Sequence, residues 1–357
     1  MKKIVIACDS YKGCLSSSEV SDAVAEGVSE AYPDCEVVRL AVADGGEGTV
    51  EALVDTLGGH LEWAEVSDPL GRPVRAAYGV AGDLAIIESA AACGLTLLSK
   101  DERNPLIATT KGLGELILAA VDKGCRRFLI GLGGSATNDG GMGMIGAEGF
   151  LEKTRGLQFT IACDVDTPYI GRNGASRVFG PQKGASGQDV EVLEERLRGY
   201  ALKISEDTGI DVSDMPGAGA AGGLGGAFRA YLGAELKRGV DLVLDQIGFD
   251  SVIAGADLVI TGEGCSDYQT LKGKTAAGVL ERAERLNIPV ALVSGAVRDE
   301  KMLRDRGFRI VEAVTPPSMS LEEAMRPETA KHLVAVATRN ILHQFCIYYQ
   351  VLHMRNH

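Results

Sequence analysis

Apolar, β-like runs that end directly in glycine-rich loops are the feature that most constrains this chain. Four junctions of this kind occur, at residues 44–49 (Asp-Gly-Gly-Glu-Gly-Thr), 131–141 (Gly-Leu-Gly-Gly-Ser-Ala-Thr-Asn-Asp-Gly-Gly), 261–264 (Thr-Gly-Glu-Gly) and 294–295 (Ser-Gly). A fifth glycine-rich stretch, 217–226, follows residues 211–216, which make a poor strand. Glycine lets backbone N–H groups close on a ligand, and a following helix adds a positive N-terminus suited to phosphate. Carboxylates or amides lie in or beside these loops at Asp44, Glu47, Asn138, Asp139 and Glu263. That mixture favours phosphate handling with a metal over hydride transfer alone.

Alternating elements run through both ends of the chain. Lys3 to Ala7 reads as a strand, and Ser16 with Glu19 forms a capping-box pattern before a helix that Pro33 closes. Glu36 to Val42 is the next strand. The segment from Leu61 to Ile87 has short β-like runs broken by turns, which fits antiparallel or mixed sheet. Thr110 to Val121 is a helix, and Phe128 to Gly131 is a strand feeding the second loop. Late in the chain, strands at 258–260, 289–293 and 309–314 alternate with helices, and a closing helix spans roughly Leu321 to Leu342. The expected architecture is α/β with two domains. Residues 1–65 and 250–357 form a doubly wound, Rossmann-like domain, and 66–249 form an inserted mixed-sheet α/β domain carrying Gly-rich phosphate loops. Ligands are expected in the cleft.

The chain's 357 residues, 45% of them hydrophobic, suffice for two cores. A net charge of −13 argues against broad binding to nucleic acid or to an anionic membrane. No apolar stretch approaches the ~20 residues of a membrane span. Met1-Lys2-Lys3 before an apolar run imitates a signal peptide, but Asp9 and Lys12 interrupt it too early. Eight cysteines without a C-x-x-C pair fit reduced thiols in a cytoplasmic protein. Four of the five histidines lie at or beyond His332 and none sits in a Gly-rich loop, so a general base is expected to be a carboxylate.

Individual motifs leave alternatives open. Asp9-Ser10-Tyr11-Lys12-Gly13 ends the first strand, where open α/β sheets bind ligands, though a polar turn would read the same. The loop at 44–49 is either a ligand loop or a tight turn capped by Thr49. Gly131-Leu132-Gly133-Gly134-Ser135-Ala136 is a weak dinucleotide fingerprint lacking the acidic residue about twenty positions on. Gly217-Ala218-Gly219-Ala220-Ala221-Gly222 fits the fingerprint fully but lacks its strand. Gly273-Lys274-Thr275 resembles the end of a Walker A motif, and Tyr268 in the first glycine position argues against a P-loop. Asp164 and Asp166 share a face at the end of a strand-like run. Residues 179–184 (Phe-Gly-Pro-Gln-Lys-Gly) make an ordered turn with one cation.

Taken in order, these motifs resemble the bacterial glycerate kinase family of the type 1 class, and the resemblance covers almost the whole chain. It rests on residues 9–13, 42–49, 133–141, 162–165, 179–185, 216–223 and 261–264. The resemblance implies ATP-dependent phosphorylation of D-glycerate to 2-phosphoglycerate with Mg²⁺. On that footing Gly133, Gly134, Ser135, Asn138, Asp139, Gly219 and Gly222 are expected to hold the nucleotide, with Asp139 and Glu263 on the metal. Asp9, Ser10, Asp44, Gly45, Glu47 and Lys183 are expected on the substrate, and Lys12 to counter its charge. Asp164 is the first choice for the base, with Asp267 second. The expected partner is the small acid alone, in a monomer or homodimer. Two departures stand out. The family usually has several dozen more residues between the regions of Phe150 and Phe159, so the short bridge at 151–157 is either a real deletion or a place where a stretch is missing, and the second reading is favoured because the strand signal at Phe159 resumes without a convincing connection. Cys265-Ser266 stands where the family typically carries Arg and an aliphatic residue. The readings from other classes are an NAD-dependent 2-hydroxy-acid dehydrogenase and a non-catalytic sensor of small acids.

Overall fold

Two wholly buried strands, and a third buried from its second residue on, organise the first unit. The computed structural model describes residues 1–355. The chain opens with β1 (Lys3–Cys8), α1 (Ser17–Ala31) and β2 (Glu36–Ala41). The Ser16–Glu19 capping box forms at the start of α1, satisfying donors that the first helical turn leaves without partners. After the second unit the chain returns through α10 (Gly239–Gln246), α11 (Phe249–Ile253), β9 (Leu258–Gly262), the two-residue β10 (Cys265–Ser266), α12 (Thr275–Arg285), β11 (Val290–Ser294), β12 (Ala296–Val297), α13 (Glu300–Arg306) and β13 (Ile310–Ala313). It ends with α14 (Leu321–Ala324) and α15 (Pro327–Arg355). The sheet order is β13-β11-β9-β1-β2, all parallel. Near-continuous apolar runs such as Ile4-Val5-Ile6-Ala7 suit strands covered on both faces. α1 and α15 pack together on one core with Ile4, Ile6, Val24, Val334 and Ile341.

Residues 45–242 form the second unit, and residues 1–44 with 243–357 form the first. The divisions fall at Asp44/Gly45 and Leu242/Val243, earlier than the expected positions near 65 and 250. α2 (Thr49–Leu57) accounts for the first difference, because it packs on β4 (Pro73–Ala81) and β5 (Leu84–Glu88). The other elements of this unit are β3 (His60–Ser67), α3 (Ala90–Cys93), α4 (Lys111–Asp122), β6 (Arg127–Gly131), α5 (Met142–Ile145), α6 (Phe150–Lys153), β7 (Gln158–Ala162), α7 (Ala175–Phe179), α8 (Gly187–Thr208), α9 (Ala220–Leu232) and β8 (Glu235–Lys237). The sheet runs β3-β4-β5-β6-β7-β8, antiparallel as far as β5 and parallel from β5 to β8.

After Phe150 the chain runs through α6 into β7, with Phe150 and Thr154 buried and Phe159 on β7 stacked on Phe128 of β6 at 4.7 Å. One local expectation changes. The closing helix is two helices, because Pro327 cannot continue α14 and instead starts α15 at a position where its missing N–H costs nothing. Among the described residues no helix is long and apolar enough to cross a membrane.

Candidate active site

In the first unit β2 lies on one side of β1 and β9 on the other, so the chain reverses its direction of winding between β1 and β9. Open α/β sheets bind ligands at the carboxyl ends of strands flanking such a point. Asp9 leaves β1 there and Glu263 leaves β9, with the Asp9 N–H donating to the Gly262 carbonyl at 2.9 Å. The Asp9 carboxylate accepts from the Ser10 N–H at 2.7 Å and from the Thr275 hydroxyl at 2.5 Å. Burial raises its pKa to about 6, with Asp44 adding to the rise, while the two hydrogen bonds and Lys12 pull it down. An acid with a pKa near neutrality can take up a proton during turnover. Ser10 is partly buried, and Lys12 is exposed.

Glu263 is committed to its own neighbours. Its carboxylate accepts from Thr270 Oγ1 at 2.5 Å, Ser266 Oγ at 3.1 Å and Lys274 Nζ at 3.1 Å. Burial alone would lower the Lys274 pKa, but the Glu263 carboxylate outweighs it and the pKa rises. Lys274 and Thr275 thus belong to the Asp9 cluster, although Gly273-Lys274-Thr275 is no P-loop. Their signal in the sequence is a Lys-Thr pair opening a helix after a glycine that takes a left-handed turn. Asp267 lies near this group, where its carboxylate accepts from the Gln269 N–H at 2.7 Å and shapes a turn. Cys265 pairs with Ala296 in β10–β12, so no cation stands at that position.

The second unit holds the loop that follows β6. Gly133 and Gly134 are exposed, and among the described residues no group accepts from their N–H donors. A Cβ on Gly133 would meet nothing nearer than 3.8 Å. Such donors after a parallel strand can take an anion. Ser135, Asn138 and Asp139 are buried beneath them. The Asp139 carboxylate accepts from Thr110 N–H at 2.8 Å, Thr110 Oγ1 at 2.9 Å, Gly141 N–H at 3.1 Å and Gly143 N–H at 3.2 Å. It ties the loop to the start of α4, and neither it nor Glu263 presents an uncommitted carboxylate to a metal. Asn138 donates to Ser176 Oγ at 2.9 Å, while its Oδ1 has no partner among the described residues. Lys183 is 2% exposed and donates to Ser135 Oγ and the Thr137 carbonyl, so it underlies the loop and does not reach out as a substrate ligand.

The remaining candidates in this unit have other work. A side chain at Gly45 would clash with Ala162 and Gly239, each at 2.7 Å from the added carbon, so Gly45 serves close packing. Glu47 is exposed. The half-buried Glu88, whose pKa burial raises, accepts from the Val50 N–H at 3.2 Å and anchors the start of α2. Asp164 is exposed and accepts from the Gly239 N–H at 2.9 Å. Gly219 and Gly222 are buried. Gly219 lies against Thr167 and Pro168, and Gly222 against Thr137 and Asn138 of the loop. Gly222 therefore packs against the loop that follows β6, and with no strand leading into residues 217–222 they do not form a dinucleotide turn.

The sequence pattern of the glycerate kinase family matches residues 4–156 and 147–346, two pieces that overlap around α6. A Bacillus subtilis (strain 168) protein named glycerate kinase is 43% identical over 353 residues, covering 90% of this chain and 92% of its own. The Escherichia coli K12 protein named glycerate 2-kinase is 42% identical over 370 residues, covering 95% of this chain and 97% of its own. The crystal structure of a putative glycerate kinase 2 from Salmonella typhimurium LT2 superimposes with a TM-score of 0.87 at 41% identity, covering 98% of this chain and 100% of that one.

Proposed function

The chain belongs to the glycerate kinase family, and from that premise we propose that it phosphorylates D-glycerate with ATP, yielding 2-phosphoglycerate and ADP. The supporting observations are made on each unit by itself: in the first, a buried carboxylate at Asp9 at the carboxyl end of β1, and in the second, a loop after β6 with exposed N–H donors at Gly133 and Gly134.

The reaction needs positioning and charge neutralisation more than covalent catalysis. The Gly133 and Gly134 N–H groups and the Ser135 hydroxyl hold nucleotide phosphate. Ser10 and Lys12 meet the glycerate carboxylate. Asp9 accepts the proton of the 2-hydroxyl as its oxygen bonds to the terminal phosphorus of ATP. The bond from that phosphorus to the bridging oxygen breaks, and the electron pair leaves with ADP. Asp9 thereby replaces Asp164 and Asp267 as the preferred base, since burial tunes Asp9 whereas Asp164 is exposed. Mg²⁺ neutralises phosphate charge when bound. Oxygen donors would suit it. Asp44, close enough to raise the Asp9 pKa, is the acid that would hold it.

The test is ADP release from ATP and Mg²⁺ with and without D-glycerate, with the product isomer read by NMR. Glycerate-dependent ADP with 2-phosphoglycerate is expected, and ADP formation indifferent to glycerate would overturn the reading. Asp9→Asn should lower kcat by about 10²–10⁴-fold while leaving ATP affinity in place. An equal loss in Asp164→Asn with a mild effect at Asp9 would return the base to Asp164.

A further inference from the structure

Lys183 is a buried cation that the proposed chemistry does not touch. It follows Pro181 in a short turn, far in sequence from the loop beneath which it lies. Its Nζ lies 2.9 Å from Ser135 Oγ and 2.6 Å from the Thr137 carbonyl oxygen. An ammonium has three donors and no acceptor. Ser135 Oγ must therefore accept in this contact, and its own O–H cannot point toward the lysine. Among the described residues no group accepts that O–H. Ser135 directly follows Gly133 and Gly134, whose N–H groups are also without acceptors among the described residues.

We propose that Lys183 is a positioning residue that fixes the polarity of the Ser135 hydroxyl, so that the loop presents a third donor, beside two backbone N–H groups, to the phosphate of a bound nucleotide. A hydroxyl is otherwise indifferent: it can turn its lone pairs or its hydrogen toward a ligand. Against a phosphate, which only accepts, the wrong orientation is repulsive. The second bond, to the Thr137 carbonyl, holds the ammonium at the fixed point from which it orients Ser135. Burial lowers the Lys183 pKa to about 8, and the Asp139 carboxylate opposes that fall. Burial holds Cys93 up at about 12, as a neutral thiol. When the ammonium loses its proton, its new lone pair can accept from Ser135, and the hydroxyl turns inward.

The inference rests on the reading of the Gly133 loop as the nucleotide-phosphate site, and the test separates the two. ADP affinity is measured by calorimetry for the wild type, Ser135→Ala, Lys183→Met and the double variant, with circular dichroism as the check on folding. Each single change should weaken ADP binding roughly tenfold. Lys183→Met should cost less than about threefold in the Ser135→Ala background, because coupled residues are not additive. Unchanged ADP affinity in Ser135→Ala overturns the phosphate reading of the loop and the role of Lys183 with it. Weakened binding in Ser135→Ala with a fully additive Lys183→Met effect overturns the role of Lys183 alone. Should Lys183→Met fail to fold, a pH series decides with folded proteins. Wild-type affinity should fall as pH rises through about 8 while Ser135→Ala stays flat, and parallel curves for the two proteins overturn the inference.

Discussion

Asp9 shows how far a single residue departs from what its neighbours in sequence imply. An acid at the end of a strand is legible, but its environment is assembled from Thr275, 266 positions away, and from burial among distant strands. The consequence is measurable. Folding raises the Asp9 carboxyl from 3.8 to about 6. Between those values the folded chain holds more protons than the unfolded one, so stability falls as pH rises through that window. The ceiling on this cost is about 3 kcal/mol, at 1.36 kcal/mol per unit. Asp9→Asn carries no charge to bury, but its amide nitrogen cannot accept as a carboxylate oxygen does. A net gain on the order of 1–2 kcal/mol is expected above pH 6, fading toward pH 4, together with the loss of turnover. Thermal melts at pH 4, 6 and 8 check this, and a variant no more stable than wild type at pH 8 would sink it. Lys183 was harder to read. Its turn is visible in the sequence, but nothing there tells a lysine that reaches a ligand from one buried under a loop.

At the scale of elements, strands and helices were legible because apolar period and caps act locally. The Ser16–Glu19 box, β9, β11 and α12 lie close to where their patterns place them. The glycine motif at 217–222 was not legible, since its spacing fits a dinucleotide turn while its backbone does something else. Ala221, Gly222 and Gly223 take left-handed conformations in sequence, inside what is otherwise α9. The Gly222 carbonyl accepts from the Gly140 N–H at 3.0 Å, and a Cβ on Gly223 would sit 2.6 Å from the Gly140 Cα. The motif is small for the sake of backbone-to-backbone packing against residues 137–140 of the loop that follows β6. Opposite outcomes follow for adjacent residues. In Gly222→Ala the new carbon falls on the Thr137 carbonyl at a φ of +72°, so stability should drop by about 2 kcal/mol or more, with weaker ADP binding. Ala221→Gly relieves a φ of 52° and should be neutral or stabilising by up to about 1 kcal/mol. Denaturant midpoints compare the two directly, and equal effects of one sign would refute the packing account.

For the whole molecule, both units carry apolar clusters of their own. The cluster built on α1 and α15 takes its buried residues from 4–28 and 258–345, and two clusters of the second unit take theirs from 66–234. Both alternating ends were legible as parts of one sheet, because parallel strands need crossovers and their apolar runs are continuous. The boundary was less so, since α2 follows a strand of one unit and packs on strands of the other, and only tertiary contact decides its side. Residues 45–242 form an uninterrupted segment with its own sheet, while the first unit is made from two distant pieces. Loop closure makes the discontinuous unit the harder one to assemble in isolation. The continuous segment, expressed alone, should therefore fold and unfold in one cooperative transition. Because Gly133, Gly134, Ser135 and Lys183 all lie within it, it should also retain weak ADP binding. It should show no turnover, since Asp9, Lys12 and Asp44 are absent from it. Calorimetric melting with and without ADP checks both statements. A broad, non-cooperative melt would mean that the segment's core depends on the rest of the chain. A cooperative melt that ADP does not shift would remove the nucleotide from the Gly133 loop.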